Sequence, residues 1–214
     1  MLDVAYFTFN SFYENTYILS NDEGACWIID PGCSTEKEKN VLHDFIKKKN
    51  LSPTRLLLTH AHIDHILGTK FIFDTFNLEP EMHPNEKIIW DNAQMGANMF
   101  GIRLGELPPA SFLLSETTEI NLGSNIFEIR FVPGHSPGSI CFIQHDKKIV
   151  ISGDVLFQGS VGRSDLPGGN HDVLIHSIKS QLLTLDDDYK VFSGHGNETT
   201  IGTERKYNPF LRAY

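Results

Sequence analysis

Short apolar runs alternate with polar, turn-rich segments along the first half of the chain. The runs are rich in β-branched and aromatic residues, which is typical of strands. Such strands are predicted at residues 7–9, 17–19, 26–29 and 55–59. Elsewhere apolar residues recur at helical spacing. Helices are predicted from an N-cap at Ser34 to about Lys49, after His65, and over residues 86–99.

The second half repeats this alternation after a long segment without periodicity. Strands are predicted at residues 126–132, 140–144, 148–152 and 190–193, and a helix at residues 172–183. Residues 101–115 contain Pro108-Pro109 and two glycines and predict a loop, of the kind that often covers a site. Strands that alternate with helices indicate an α/β layered fold.

Composition narrows the possible partners. The chain has 214 residues, 40% hydrophobic and 21% charged, which is ordinary for a globular protein. Its net charge of −9 argues against nucleic-acid binding. Since no apolar run is long enough to span a bilayer and no secretory signal begins the chain, we expect no membrane partner and a cytoplasmic location. The three cysteines form no metal-type pair and fit that compartment.

The end of the predicted strand at 55–59 carries an unusual group of polar side chains. The stretch LLLTHAHIDH places His60, His62, Asp64 and His65 directly after an apolar run. His60 and His62 are two apart in an extended segment and point to the same side, whereas Asp64 and His65 lie at the turn into a helix. Packed together without a cation, these groups would be costly to bury. The stretch therefore predicts metal binding, in two adjacent sets of ligands.

Three further ligand-type residues follow predicted strands in the second half. They are His135, Asp154 and His195, and a glycine directly precedes each. Sites in α/β sheets gather at the carboxyl ends of strands, so we expect these side chains to converge with the first group.

The motif HxHxDH and the later His, Asp and His, in that order, resemble those of the metallo-β-lactamase fold superfamily. The resemblance implies a four-layer αβ/βα sandwich of two similar halves, with a site for two metals at one edge. Residues 1–214 would form a single such domain, with no additional C-terminal helical domain. The first metal would take His60, His62 and His135, the second Asp64, His65 and His195, and Asp154 would bridge both. Ligands of these types suit two Zn²⁺ ions, with iron or manganese as alternatives.

Within the superfamily the chain most resembles the short bacterial members of the glyoxalase II (hydroxyacylglutathione hydrolase) branch. The strings that carry this resemblance are residues 153–157, 162–169, 200–205 and 208–211. It implies a zinc-dependent hydrolase of a thioester, such as the S-acylglutathione lactoylglutathione. The helical domain and the Lys and Tyr that bind glutathione in longer members are not matched, and Arg163 and Asp165 occupy that neighbourhood. Arg163 is a candidate for substrate binding or for an ion pair with a nearby Asp.

The mechanism expected from this resemblance is attack on the thioester carbonyl by a hydroxide that bridges the two metals. Asp64 and Asp154 would orient and deprotonate the water, and the thiolate would leave without a dedicated acid. Rival hypotheses are a persulfide dioxygenase with one iron on His60, His135 and Asp154, a metallo-hydrolase of another ester or a lactam, and a metal-binding protein without turnover. The sequence leaves the oligomeric state open.

Overall fold

The computed structural model of the protein describes residues 1–212; residues 213 and 214 of the predicted domain lie outside the described part. The first half forms a five-stranded sheet in the spatial order β1-β2-β3-β4-β5. Its strands are β1 (Leu2–Phe9), β2 (Glu14–Asn21), β3 (Ala25–Ile29), β4 (Ser52–Leu57) and β5 (Pro80–Glu81). The first three pair antiparallel, and β3, β4 and β5 run parallel. All four predicted strands are present, and the first two are longer than predicted.

The second half forms a six-stranded sheet and a short hairpin. The sheet has the order β13-β12-β9-β8-β7-β6, and β10 pairs with β11. The strands are β6 (Ile120–Leu122), β7 (Asn125–Phe131), β8 (Ile140–Gln144), β9 (Ile149–Gly153), β10 (Leu156–Phe157), β11 (Ser160–Val161), β12 (Lys190–Ser193) and β13 (Thr199–Thr200). Strands β7, β8 and β9 are antiparallel, whereas β9 and β12 are parallel.

Residues 1–212 contain eight α-helices, six of which lie between strands and two of which follow the last strand. They are α1 (Glu36–Lys48), α2 (Ile63–Ile66), α3 (Thr69–Phe76), α4 (Lys87–Asp91), α5 (Ala93–Met99), α6 (His171–Ser177), α7 (Ile201–Tyr207) and α8 (Pro209–Arg212). The predicted N-cap of α1 was wrong by one residue: the Thr35 hydroxyl accepts from the Glu38 N–H, and the Glu38 carboxylate accepts from the Thr35 N–H. The predicted helix at 86–99 is two helices, divided at Asn92.

The hydrophobic core divides into layers that follow from the strand pattern. Side chains from the inner faces of both sheets meet in one cluster that includes Trp27 and Phe127, whose ring centroids are 4.9 Å apart. Helices α1 and α3 cover the outer face of the first sheet, where Leu42 and Ile72 are buried. Helix α6 covers the outer face of the second sheet. The predicted four-layer αβ/βα sandwich is confirmed.

The two halves repeat one topology. In each, three antiparallel strands are followed by a helix and a strand parallel to the third: β1-β2-β3-α1-β4 in the first half and β7-β8-β9-α6-β12 in the second. The carboxyl ends of the two parallel pairs, β3 with β4 and β9 with β12, lie at the same edge of the sandwich. A hydrogen bond from the Asn15 N–H to the Gly194 carbonyl joins the halves there. This edge carries the polar residues that the sequence singled out.

Two other expectations concern the surface. Residues 101–115 form the predicted loop, but Ile102, Leu104 and Leu107 pack against the apolar cluster beside α4 and α5 instead of covering the edge of the sandwich. Within residues 1–212, every helix is too short or too polar to cross a membrane.

Candidate metal centre

The fold brings all seven predicted ligand residues together at the shared edge. His60 and His62 lie between the end of β4 and helix α2, Asp64 and His65 lie within α2, and the other three follow β7, β9 and β12. The side chains form two sets whose potential ligand atoms lie within 4.8 Å of one another. The first set is His60, His62 and His135, and the second is Asp64, His65, Asp154 and His195.

The first set presents three imidazole nitrogens to one point. His135 Nε2 lies 2.8 Å from His62 Nδ1 and 3.2 Å from His60 Nε2. Burial lowers the pKa of all three, that of His62 to about 3, so these imidazoles are neutral at pH 7. His135 Nδ1 faces the Arg163 carbonyl and His60 Nδ1 faces the Thr59 hydroxyl, so the Nε2 atoms of these two neutral rings present lone pairs to each other, a contact that a cation between them would stabilise. This set therefore fits a metal ion.

The second set combines two carboxylates with two imidazoles. His195 Nε2 is 3.1 Å from Asp64 Oδ2 and 3.4 Å from Asp154 Oδ2, and His65 Nε2 is 3.3 Å from Asp154 Oδ1. Burial by itself would lower the pKa of His195, but hydrogen bonds to Asp154 and Asp64 raise it to about 10. A proton and a metal compete for His195 Nε2, and a dication facing two carboxylates would displace the proton.

Asp154 touches both sets. Its Oδ2 lies 3.6 Å from His135 Nε2 in the first set, as well as 3.4 Å from His195 in the second. Burial would raise its pKa, but the charge of His65 and a hydrogen bond from His195 hold that pKa well below its usual range. Asp154 is therefore a carboxylate that lies within reach of ligand-type atoms in both sets.

Hydrogen bonds on the far side of each ring fix which nitrogen faces the centre. His135 Nδ1 donates to the Arg163 carbonyl at 2.7 Å, and His195 Nδ1 donates to the Phe12 carbonyl at 3.0 Å. Because a carbonyl can only accept, Nε2 of both rings is left without a proton when the ring is neutral. Such outer partners orient ligands and raise their basicity.

Two orphaned atoms also fit a metal. Three buried side-chain oxygens or nitrogens among the described residues lack a hydrogen-bond partner: Glu14 Oε1, His65 Nε2 and Asp154 Oδ1. The last two face each other across the second set. An unpaired buried polar atom is costly, and a metal ion held by both residues would remove that cost. Glu14 lies on β2, and burial raises its pKa well above the usual range of a carboxyl group.

Asp30, a residue that sequence reasoning missed, supports the ligands from behind. Its carboxylate accepts from the Thr59 N–H at 2.7 Å, from the Thr59 hydroxyl at 2.6 Å and from His65 Nδ1 at 3.2 Å. The Thr59 hydroxyl donates its proton to Asp30. Thr59 Oγ1 therefore accepts a hydrogen bond from His60 Nδ1 at 3.0 Å. Asp30 also lies near enough to His60 and His65 to form a third ligand set, but these bonds occupy its oxygens.

Glu86 is a second support that sequence reasoning missed. This fully buried carboxylate accepts from the Ala61 N–H at 2.8 Å, the Gly138 N–H at 2.6 Å and the Ser136 hydroxyl at 2.5 Å. It thereby ties the loop of His60 and His62 to the loop of His135. No local pattern distinguishes such a residue from an exposed glutamate at the start of a helix.

Two of the glycines that precede the later ligands, Gly153 and Gly194, lie where neighbouring atoms leave no space for a side chain. Gly153 has φ +50°, and a Cβ there would overlap Thr59 Oγ1. A Cβ on Gly194 would overlap Asp154 Oδ1. Both positions exclude a side chain because the ligand loops approach so closely.

Arg163 forms the ion pair that was one of its two predicted roles. Its guanidinium donates to both carboxylate oxygens of Asp165, at 2.8 and 2.9 Å, and both side chains are more than half exposed. The main-chain carbonyl of Arg163 holds His135, as described above. A contact between Arg163 and substrate stays a prediction.

A cavity of about 560 Å³ opens onto the centre. His62, Asp64, His135, Asp154 and His195 form its floor, and α4 and α5 form one wall. Water and a small substrate can therefore reach the ligand atoms from this side. The arrangement can hold metal ions, activate water and hold an acyl group against it.

Comparison with known proteins agrees with the fold and the site. A model of the metallo-β-lactamase superfamily matches residues 10–195. The chain belongs to this superfamily, and its His and Asp groups are those of a metal-dependent hydrolase.

Two curated relatives match nearly the whole chain. The Bacillus subtilis protein named "probable metallo-hydrolase YqgX" is 43% identical over 202 residues, which cover 94% of this chain and 93% of the relative. The hydroxyacylglutathione hydrolase GloC of Haemophilus influenzae is 38% identical over 205 residues, with 95% of each chain covered.

Two crystal structures are similarly close. BLEG-1, a B3 metallo-β-lactamase, superposes with a TM-score of 0.90 and 37% identity, covering 99% of this chain and all of that one. TTHA1623 in a di-iron-bound form gives a TM-score of 0.87 and 35% identity, covering 97% of this chain and all of that one.

Proposed function

We propose that the protein is a dinuclear metal hydrolase that cleaves a thioester. The observation that carries this proposal is Asp154, a buried carboxylate within 3.6 Å of ligand nitrogens in both sets. A structural site for one metal has no use for such a residue. The relationship to GloC supports a thioester, including an S-acylglutathione, as the substrate.

The two metal ions would be Zn²⁺. One would bind to His60, His62 and His135 and the other to Asp64, His65 and His195, and Asp154 would be shared between them. Nitrogen and carboxylate donors suit zinc, and the di-iron form of TTHA1623 makes iron the main alternative. When bound, two such cations lower the pKa of water and stabilise negative charge on a carbonyl oxygen.

The reaction adds water across the carbon–sulfur bond. A carbon–oxygen bond forms at the carbonyl, the carbon–sulfur bond breaks, and the proton from water ends on the thiol. Asp64 and Asp154 accept hydrogen bonds from the attacking water, orient it and take up its proton. A thiolate leaves readily, so the reaction requires no acid on the leaving-group side. Within the described residues the cavity lining offers no Tyr, Lys or Cys for that role.

The test measures metal content and thioester hydrolysis on the same preparation. We expect close to two metals per chain, and loss of activity on chelation that returns with added metal. Protein grown with metal supplements that contains no transition metal, or that cleaves thioesters equally well after chelation, would reject the proposal. The same elemental analysis distinguishes zinc from iron and manganese.

A lactam is the second candidate substrate, because BLEG-1 is 37% identical over almost the whole chain. Both reactions use the same water and the same metals. A β-lactam included in the assay decides between them: cleavage of the lactam without cleavage of thioesters would replace the proposed function. Oxygen uptake with glutathione persulfide would instead favour the predicted single-iron dioxygenase.

A further inference from the structure

The wall of the cavity differs sharply from its floor. Helices α4 and α5 contribute apolar side chains, and Phe12, Phe157 and Leu166 face the same space. From the two helices these side chains are Ile88, Ile89, Ala93, Met95 and Met99, and Phe100 follows them. Phe12 and Phe100 meet edge to face, with ring centroids 5.2 Å apart. Above the ligands, the cavity is therefore bounded mainly by carbon and sulfur.

Charge is nearly absent from this wall. Apart from the ligand residues of the floor, Arg163 is the one charged residue among positions 1–212 that lines the cavity. Its guanidinium already forms two hydrogen bonds to Asp165. The side chains Lys39, Lys70 and Arg103 line a separate cavity of about 570 Å³. An anionic group bound against the wall would therefore find no unpaired cation.

The apolar wall is left open by the protein's own chain. Ile88, Met95 and Met99 are exposed by 63%, 64% and 62%, although all three line the cavity. Contiguous exposed apolar surface of this kind marks a binding site, and methionine adapts its shape to different ligands. Folding leaves these side chains in contact with water, so a ligand that covered them would be stabilised by the burial of their apolar surface.

We propose that the thioester bound here is uncharged and apolar in the part that lies against α4 and α5. This inference rests on the proposed hydrolase function and specifies its substrate class. Glutathione carries two carboxylates and an ammonium group, which would lose water against this wall without gaining partners. The preferred substrates are then thioesters with an extended hydrocarbon acyl group or an uncharged thiol.

Two substrate series measure this preference on the metal-loaded protein. In the first, acyl chains are lengthened from acetyl to hexanoyl on one constant thiol. We expect kcat/KM to rise about fourfold for each methylene that reaches the wall. In the second, S-hexanoylglutathione is compared with the same compound esterified at both glutathione carboxylates. Removing the two charges leaves the reacting sulfur unchanged, and we expect kcat/KM to rise about tenfold or more.

A variant pair locates the effect on the wall. Ile88→Lys introduces a cation beside the cavity, and Ile126→Lys makes the same change at an exposed isoleucine on β7, outside the cavity lining. We expect Ile88→Lys to lower kcat/KM for the esterified substrate at least tenfold relative to S-hexanoylglutathione, and Ile126→Lys to leave that ratio unchanged. Calorimetry with the S-hexyl thioether of each thiol, which cannot be hydrolysed, should show the same shift in affinity.

The outcomes separate the two proposals. If thioesters are cleaved but S-acylglutathiones with short acyl groups are the best substrates, the substrate class is wrong and the hydrolase stands. Equal ratios in Ile88→Lys and Ile126→Lys would also overturn the role of the wall. If the metal-loaded protein cleaves no thioester of either series, the proposed function fails, and this inference fails with it.

Discussion

Each half of the molecule has a residue with left-handed backbone geometry at an equivalent position, and the two residues have different roles. Asp30, the residue directly after β3, has φ +51°, and Gly153, the last residue of β9, has φ +50°. Both residues lie where the third strand leaves its parallel partner. In the first half the left-handed residue is itself an aspartate and supports the ligands. In the second half it is a glycine, and the next residue, Asp154, becomes a ligand candidate.

Thr59 explains the difference between these equivalent positions. Its hydroxyl and N–H bind the Asp30 carboxylate, and the same hydroxyl fills the place of a Cβ on Gly153. The side chain of Thr59 therefore lies between Asp30 in the first half and Gly153 in the second. It leaves no space for a side chain at position 153, so only glycine fits there. A repeated topology can thus give one half the supporting role and the other the bridging ligand. Four substitutions test this division, from the largest expected effect to the smallest.

Asp154→Ala should remove the bridge itself. We expect a loss of activity beyond the 10- to 100-fold range typical of outer residues, together with loss of about one metal per chain, because both ion sites lose a ligand. Elemental analysis and thioester hydrolysis measure this. Asp188→Ala, at a surface ion pair with Lys148, is the control. An Asp154→Ala protein with two metals and wild-type turnover would remove the distinction between the halves.

Asp30→Asn should lower the affinity for metal without lowering the activity of the metal-saturated protein. Asparagine tolerates the left-handed backbone. Its amide NH₂, however, replaces one of the two carboxylate oxygens that accept hydrogen bonds from Thr59 and His65. We expect metal affinity to fall about 10- to 100-fold, with activity recovered at saturating metal. Competition with a metal-binding dye gives the affinity. If excess metal fails to restore activity, Asp30 does more than orient the ligands.

Gly153→Ala should reveal the close approach of Thr59. Gly159→Ala is the matched control, since Gly159 has φ +68° and no atom within 4 Å of an added Cβ. Both variants carry the left-handed strain of about 1–2 kcal/mol, and overlap with Thr59 adds about 1–3 kcal/mol at Gly153 only. Denaturant unfolding of the metal-free proteins measures the difference. Equal free energies of unfolding would mean that Thr59 moves aside without cost.

Glu38→Gln should weaken the first half without touching the ligands. Burial by itself would raise the pKa of Glu38, but N–H groups of Thr35, Ser34 and Asn10 lower it from 4.5 to about 2. Because the folded-state pKa is the lower one, this stabilisation is full above pH 4.5 and disappears as pH falls toward 2.

At pH 7 we expect Glu38→Gln to lose about 1 kcal/mol of unfolding free energy, with metal affinity unchanged. The deficit relative to the unmodified protein should shrink as pH falls through that window. Glu36→Gln, whose carboxylate is exposed and pairs with Lys39, is the control and should change little. A deficit that persists unchanged at low pH would contradict the role of the ionised carboxylate.

The sequence by itself determined the architecture and the ligand candidates. Periodicity and turn residues predicted nearly all the larger elements because both are local properties of the chain. HxHxDH after a buried strand indicated metal because burying four such groups without a cation is unfavourable. The glycines before His135, Asp154 and His195 indicated close approach. The family resemblance then gave the layer order that periodicity could not choose.

Tertiary structure alone decided which polar residues support the ligands and what surrounds the substrate. Asp30 and Glu86 act through partners 25 to 52 positions away in the chain, so no local pattern reveals them. The apolar wall arises because α4 and α5 turn apolar side chains of the helix predicted at 86–99 toward the opening above the ligands. Local sequence fixes where a side chain lies along an element. Only the packing of elements decides whether that side chain faces the core, a metal or an open cavity.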